Sequence, residues 1–178
     1  MTANPPQTPL DSPNQLDRAS QKGDRKSVVA AGVLFGLGFS GFFDGVVLHQ
    51  ILQWHHMLTS AGYADTTVAG LKLNTLADGL FHVVTYAFTL SGLVVLWRAL
   101  ERGNLAWSSK VFGGALLIGA GTFDVVEGII DHHILGIHHV KSGPNELAWD
   151  LGFLALGATL AILGWLLLRA GQQQPTYK

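Results

Sequence analysis

The chain has 178 residues, of which 48% are hydrophobic and 13% are charged, and its formal net charge is −1. Soluble domains carry about 25% charged residues, so this composition predicts an integral membrane protein. A near-neutral chain without a basic patch excludes a nucleic-acid partner. Cysteine is absent and methionine occurs only at Met1 and Met57. Disulfides and the sulfur-rich sites of most Cu(I) carriers are therefore excluded.

Residues 1–26 contain four of the six prolines and almost no large apolar side chains. They cannot bury enough surface to offset the loss of chain entropy on folding. We therefore expect a disordered cytoplasmic tail over residues 1–26, a four-transmembrane-helix metal-binding domain over residues 27–170, and a short cytoplasmic tail over residues 171–178.

Four apolar windows follow this tail, at roughly residues 27–51, 76–96, 111–130 and 147–168. Each window has about 20 residues or more, which is enough to cross a hydrocarbon core of about 30 Å. The predicted fold class is all-α, an integral membrane four-helix bundle whose first partner is the lipid bilayer.

The basic residues are unevenly distributed around these windows. Two of them, Lys72 and Lys141, lie in the first and third loops, and nine lie elsewhere. The nine are Arg18, Lys22, Arg25, Lys26, Arg98, Arg102, Lys110, Arg169 and Lys178. By the positive-inside rule, both termini and the middle loop are cytoplasmic in a multi-pass protein of the bacterial cytoplasmic (inner) membrane.

Two similar segments lie 83 positions apart and hold seven of the eight histidines. Residues 44–56 read DGVVLHQILQWHH, and residues 127–139 read EGIIDHHILGIHH. This similarity predicts two tandem two-helix repeats, related by a parallel pseudo-two-fold axis along the membrane normal.

Glycines recur at helical spacing in the first and third windows. They are Gly32, Gly36, Gly41 and Gly45 in the first, and Gly114, Gly121 and Gly128 in the third. Because small residues allow two membrane helices to approach closely, we expect these two helices to pack against each other.

The histidines and carboxylates concentrate at the extracytoplasmic end of the predicted helices. An ionisable group within a span costs at least about 2.5–3.5 kcal/mol, so such a cluster implies partners or a metal ion. Neutral imidazoles and carboxylates favour iron or copper, with zinc or manganese as alternatives, and the ligands are numerous enough for a dinuclear centre. The predicted metal ligands are His49, His55, His56, His82, His132, His138, His139, Asp44, Asp78, Glu127, Asp131 and Asp150.

Helix geometry predicts which of these side chains share a face. At about 100° per residue, positions seven or eleven apart lie on one side of an α-helix. We therefore expect His49 beside His56 and Asp44 beside His55, with His132 beside His139 and Glu127 beside His138 in the second segment.

With these segments and the sequence NTLADGLFH at residues 74–82, the chain resembles a family of bacterial four-helix, histidine-rich membrane proteins, domain of unknown function 2243. The resemblance covers about residues 27–170 and implies the fold and the membrane location. The histidine segments are also similar to those of membrane di-iron hydroxylases and desaturases. Their spacings here, H-x5-HH and H-x4-HH, are longer than the H-x2-HH and H-x3-HH of those enzymes.

The leading functional hypothesis is a non-haem, metal-dependent oxidoreductase or redox protein that acts on a small or lipid-like substrate, with no catalytic residue assigned. The alternative is a Cu(II) or Zn(II) binding protein that delivers its ion to a metal-handling or respiratory-chain partner, such as an oxidase under assembly. Bis-histidine haem and a proton-titrating histidine cluster remain further alternatives. Homo-oligomerisation is left open.

Overall fold

The computed structural model describes residues 13–103, 105 and 107–173, and every regular element within these residues is a helix. The elements are α1 (Pro13–Phe42), π1 (Phe43–Ile51), α2 (Val68–Glu101), α3 (Ser109–Glu127), π2 (Gly128–Ile134) and α4 (Glu146–Gln172). Four stretches are long and apolar enough to span a membrane: Arg25–Ile51, Val68–Glu101, Ser109–Ile134 and Glu146–Gln172. The predicted all-α fold with four membrane-spanning helices is confirmed.

The helices extend beyond the apolar windows. The first one begins at Pro13, so residues 13–26 of the predicted disordered tail are helical, and residues 1–12 lie outside the described residues. Proline is tolerated in the first helical turn, and the lysine, arginine, glutamine and alanine that follow are good helix formers. The last helix continues to Gln172, and residues 174–178 of the predicted C-terminal tail lie outside the described part.

The helices pack in the order α2, α1, α3, α4, with α1 and α3 in the centre. The most apolar windows of α1 and α3 are 44% and 50% buried, whereas those of α2 and α4 are 11% and 17% buried. The outer helices expose many apolar side chains, for example Leu80 and Leu163 at 60% and 51%. Such a surface suits contact with lipid, where no free energy is lost by leaving apolar groups uncovered by protein.

The two central helices are in backbone contact where they cross. A Cβ atom at Gly36 would lie 2.1 Å from the carbonyl oxygen of Leu116, and one at Gly119 would lie 2.1 Å from that of Val33. Only glycine fits at either position, because real Cβ atoms do not approach a carbonyl oxygen so closely. The predicted close approach of the first and third helices is confirmed, and it brings the two histidine segments to the same end of the bundle.

Each central helix ends in a π-helix, in which the hydrogen bonds run from residue i to residue i+5. At the end of π1, the N–H of Leu52 donates to the carbonyl of Val47 at 2.8 Å, and at the end of π2 the N–H of Leu135 donates to that of Ile130 at 2.8 Å. The two bonds lie 83 positions apart, as do the two segments. The segments thus share this local conformation, while their origin by duplication stays a prediction.

The chain reverses direction directly after each π-helix. Gln53 and Gly136, again 83 positions apart, are left-handed with φ of 50° and 56°. The helices therefore end at Ile51 and Ile134, and the histidine pairs 55–56 and 138–139 lie in loops beyond them. The prediction that these pairs continue the α-helical faces is wrong, because the reversal moves them off the helix axis.

The glycine crossing predicts the effect of one added methyl group. We expect Gly36→Ala to destabilise the folded bundle by about 1–3 kcal/mol, because the overpacked methyl forces the two backbones apart. Unfolding of the purified protein in mixed detergent micelles measures this loss.

Gly79→Ala on α2 is the matched control, since a Cβ atom there has no neighbour within 4 Å. It should leave the stability unchanged or slightly raised, because alanine favours the helix. Equal effects of the two substitutions would contradict the backbone contact.

Candidate metal centre

Asp44 and His49 form the first half of the site, and π1 is what brings them together. Side chains five positions apart diverge by about 140° on an α-helix. The wider turn of a π-helix, roughly 4.4 residues, reduces this angle to about 50°. Accordingly, His49 Nε2 lies 3.0 Å from Asp44 Oδ2. On the other edge of the ring, Nδ1 donates to Asp78 Oδ1 at 2.9 Å, which fixes the tautomer and leaves Nε2 facing Asp44.

Glu127 and His132 repeat this arrangement at the end of the third helix. His132 Nε2 lies 3.1 Å from Glu127 Oε1, and its Nδ1 lies 3.3 Å from Asp150 Oδ1. Asp150 on α4 therefore takes the position relative to His132 that Asp78 on α2 takes relative to His49. All the side chains of both halves are buried.

His55 and His138 fold back from the loops and join the two halves. Their rings stack with centroids 4.8 Å apart and planes inclined by 4°. His55 Nδ1 donates to the carbonyl of Val140 at 2.9 Å, which leaves its Nε2 free, and His138 Nε2 lies 2.8 Å from Glu127 Oε1. Burial, together with the adjacent His49 and His138, lowers the pKa of His55 from 6.5 to about 2. His55 is thus a neutral imidazole, the form that binds metal ions.

His56 and His139 lie one layer further out and hold the carboxylates that orient the inner rings. His56 Nδ1 donates to Asp78 Oδ2 at 2.6 Å, and His139 Nδ1 donates to Asp150 Oδ2 at 2.7 Å. The same carboxylates also accept backbone N–H groups, from Met57 at 2.9 Å and from Val140 at 3.0 Å. Each aspartate thereby ties a loop to the start of an outer helix.

Six side chains converge in the middle, and we refer to them as the central cluster: Asp44, His49, His55, Glu127, His132 and His138. Two sets of three could each hold a metal ion, with ligand atoms no more than 4.8 Å apart: His49, His55 and His138, and Glu127, His132 and His138. Each of the six has at least one buried side-chain nitrogen or oxygen without a hydrogen-bond partner. An unpaired buried polar atom costs about 1–3 kcal/mol, so six together favour a bound cation.

The spacing within each half suits a coordination sphere. Metal–nitrogen and metal–oxygen bonds of about 2.0–2.2 Å place neighbouring ligand atoms about 3 Å apart. His49 Nε2 and Asp44 Oδ2 are 3.0 Å apart, yet their geometry is not that of a hydrogen bond. Two lone pairs at this distance repel each other unless a proton or a metal ion lies between them. The donor set of imidazoles and carboxylates suits iron, copper(II), manganese or zinc.

Comparison with known proteins identifies the family. The model of a family described as "Predicted membrane protein (DUF2243)" matches residues 31–171. The chain belongs to this family. The matched residues include the whole central cluster and most of the four spans. No curated protein and no solved structure matches the chain significantly.

Six of the twelve predicted ligands of this DUF2243 chain lie outside the central cluster. Four of them, His56, His139, Asp78 and Asp150, form the hydrogen-bonded layer around it, and the other two are His82 and Asp131. His82 is half-buried, stacks on Phe42 with ring centroids 6.0 Å apart, and packs against Gly45. Asp131 is half-buried and lines a small cavity with Glu127. Neither residue belongs to the two groups that could hold a metal ion.

The side-chain neighbours predicted from helical spacing do meet, but for a different reason. His55 Nε2 lies 3.8 Å from Asp44 Oδ1, and the rings of His49 and His56 lie 6.4 Å apart on the two oxygens of Asp78. The reversal after π1 brings them together, where continuous helix was predicted. Gly136 in the second segment was the sequence signal for this turn, since glycine favours a left-handed conformation.

Sequence reasoning missed the role of Asn74. This buried side chain accepts the N–H of Leu58 at 2.8 Å and donates to the carbonyl of Tyr63 at 2.8 Å. It fixes the first loop, residues 52–67, over the start of α2. Its position four residues before Asp78, on the same helical face, was the available signal.

Removal of Asp150 tests whether the carboxylates hold the loops. We expect Asp150→Ala to increase hydrogen exchange of the Val140 amide by about tenfold or more, because a lost partner for a buried polar group costs about 1–3 kcal/mol. Exchange followed by mass spectrometry on peptides of the third loop, residues 135–145, measures this opening.

Asp65→Ala provides the control, because Asp65 is also a half-buried loop aspartate but has no side-chain hydrogen bond within the described part of the chain. It should leave exchange of the third loop unchanged. Equal protection in both variants would show that the Asp150 carboxylate does not anchor this loop.

Proposed function

We propose that this membrane protein holds a dinuclear iron or copper centre in the central cluster and uses it for redox or oxygen chemistry. The observation that carries the proposal is the convergence of four histidines and two carboxylates, all buried, with unpaired nitrogen and oxygen atoms facing one another. Zinc or manganese would suit the same donors.

Charge balance supports two ions. Five carboxylates are buried in and around the cluster; Asp124 is hydrogen-bonded to Ser40, and the other four, Asp44, Asp78, Glu127 and Asp150, lie beside histidines. The charge balance concerns these four. Their ion-pair partners among the described residues are histidines, with no lysine or arginine in contact. Buried charges without compensation cost several kcal/mol each. Two divalent ions would supply four positive charges and leave the imidazoles neutral.

Some of these residues would bind the ions, and others orient the binding side chains. His49, His55 and His138 would hold one ion beside Asp44, and Glu127, His132 and His138 would hold the other. Since His138 belongs to both groups of three, the two positions are adjacent, and either carboxylate could bridge them. Asp78 accepts a hydrogen bond from His49 Nδ1 and so points Nε2 inward, as carboxylates commonly do beside metal-bound histidines. Asp150 lies 3.3 Å from His132 Nδ1 in the corresponding place. The ions would supply Lewis acidity and electron exchange.

The basic residues support one direction of the bundle in the membrane. Arg25, Arg98, Lys110 and Arg169 flank the end opposite to the central cluster. The positive-inside rule supports cytoplasmic termini and a cluster near the extracytoplasmic face of a bacterial cytoplasmic membrane. There the centre would be accessible to lipid-soluble substrates and to extracytoplasmic partners.

One observation favours a second candidate function, binding and delivery of Cu(II) or Zn(II). His139 Nε2 lies 3.0 Å from Glu146 Oε1, and the two side chains are 21% and 39% exposed. Through Asp150 this pair connects the surface to His132. A chain of metal-binding groups from surface to centre suits an ion that is loaded and passed on, for example to a respiratory oxidase under assembly.

Metal analysis of two histidine variants tests the site itself. We expect about two iron or copper ions per wild-type chain by mass spectrometry of the elements, and loss of at least half of them in His138→Ala, because His138 serves both groups. His133→Ala is the matched control, since His133 is exposed on π2 and should leave the metal content unchanged.

Full metal content in a folded His138→Ala protein would refute the ligand assignment. A wild-type protein without metal, purified from cells supplied with iron and copper, would leave a proton-titrating histidine cluster as the explanation. A Soret band in the optical spectrum would replace the proposed centre with haem.

Reactivity separates the two candidate functions. For the redox protein we expect the metal-dependent absorbance to change on reduction, to return on exposure to oxygen, and to persist during dialysis against a chelator. One exchangeable ion that a chelator removes, with no change on reduction and reoxidation, would instead identify the delivery protein.

A further inference from the structure

A lateral cleft between α1–π1 and α4 leads from the lipid-facing surface to the central cluster. Its volume is about 640 Å³, and apolar side chains such as Phe43, Val47 and Leu156 form most of its wall. Phe43 and Leu156 are 57% and 50% exposed, so the cleft opens towards the bilayer. At its inner end lies Asp44, a member of the central cluster.

The inner end of the cleft is polar and acidic. Ser40 Oγ donates to Asp124 Oδ1, and both residues line the cleft together with Asp44. Asp124 and Asp44 are each 3% exposed, and no lysine or arginine is among the described residues of the wall. Two carboxylates repel an anionic group but accept hydrogen bonds from a hydroxyl.

Two tryptophans form the wall of the cleft at the end nearest the loops. The rings of Trp54 and Trp149 lie 5.3 Å apart, and Lys141 Nζ lies 4.7 Å and 5.4 Å from their centroids. Trp54 and Trp149 both line the cleft. Tryptophan side chains are enriched at the membrane–water interface, where a lysine can also reach water. A molecule would therefore enter sideways from the bilayer.

A second, smaller cavity lies at the positions 83 residues later in the chain and can be compared with the cleft. There, a cavity of about 250 Å³ is lined by Val126, Glu127, Ile130 and Asp131, which correspond to Phe43, Asp44, Val47 and Leu48. Phe123 stands at the position that corresponds to Ser40 and also lines this smaller cavity. The larger space and the hydroxyl–carboxylate pair are thus features of the α1–α4 side.

We propose that the α1–α4 cleft binds a lipid-soluble quinol, with its ring hydroxyl donating to Asp124 or Asp44 and its apolar chain extending towards the bilayer. The volume suits a ring with a short length of chain, since pockets for molecules of this size measure about 300–1,000 Å³. A role for the bound quinol at the metal centre would rest on the proposed function. Binding itself depends only on the cleft.

Equilibrium binding of decylubiquinol to the protein in lipid nanodiscs, corrected with empty nanodiscs, tests the proposal. Decylbenzene has an equal chain on a ring without hydroxyl, methoxy or methyl groups, and decanoate has an anionic end. We expect saturable binding of the quinol, at least about tenfold weaker binding of decylbenzene, and weaker binding of decanoate still, because of the two carboxylates.

A pair of glycine variants locates the binding. Gly152 lines the cleft, and a Cβ atom there has no neighbour within 4 Å, so Gly152→Leu fills the cleft without disturbing a helix contact. Gly79→Leu adds the same side chain to an equally open position on α2, away from the cleft. We expect at least about tenfold weaker quinol binding in the first variant and unchanged binding in the second.

Asp124→Asn addresses recognition of the hydroxyl. It should reduce the preference for decylubiquinol over decylbenzene, while Gly79→Leu retains that preference. Equal binding of both molecules by the wild type would show that the cleft takes any acyl chain, and stronger binding of decanoate would indicate an anionic lipid. Unchanged binding in Gly152→Leu would place the quinol elsewhere. Each of these results overturns the proposal.

Metal content of the same preparations separates this inference from the proposed function. Quinol binding by a chain that lacks metal would refute the metal centre and retain the cleft. Two ions per chain without quinol binding would do the reverse. Thermal unfolding of every variant verifies that the bundle is intact.

Discussion

The structure depends on the burial of carboxylates in an apolar bundle that offers them histidines and backbone amides as partners. Asp78 and Asp150 each accept hydrogen bonds from a histidine of the outer layer and from one loop amide. The cost of an unpaired buried charge is several kcal/mol, which is comparable to the stability of a whole domain. The loops must therefore close over the helix ends, and their histidines enter the centre as a result.

The close contact of the central helices brings the two closed halves of the site together. Because Gly36 and Gly119 let α1 and α3 touch through their backbones, the π-helices that follow end close enough for His55 and His138 to stack between the two halves. Each half brings one carboxylate, one helical histidine and one loop histidine. Apart from each other, the halves would each be an incomplete site, and together they bury all six side chains of the central cluster.

Most of the fold followed from the sequence, because span length and hydropathy reflect the bilayer directly. The 83-residue offset also indicated which residues correspond, and the central cluster consists entirely of predicted ligands. The hydrogen-bond register of the helices could not be predicted, since no residue type encodes an i→i+5 pattern. The same limit explains His56, which was predicted as a ligand by α-helical spacing and lies instead behind Asp78. His82 was predicted from its spacing of four residues from Asp78, and Asp131 as a carboxylate of the second segment; the packing of the neighbouring helices leaves both outside the central cluster.

The π-helices have a consequence for how this chain can change over evolutionary time. A π-helix corresponds to an α-helix with one extra residue. Deletion of a single residue between Asp44 and His49 would restore the α-helical register with a spacing of four, at which the two side chains diverge by about 40° and still share a face. Insertion of a single residue into the π-helix would instead separate them by about 130°. The carboxylate and the imidazole thus stay together when the segment loses one residue, and they part when it gains one.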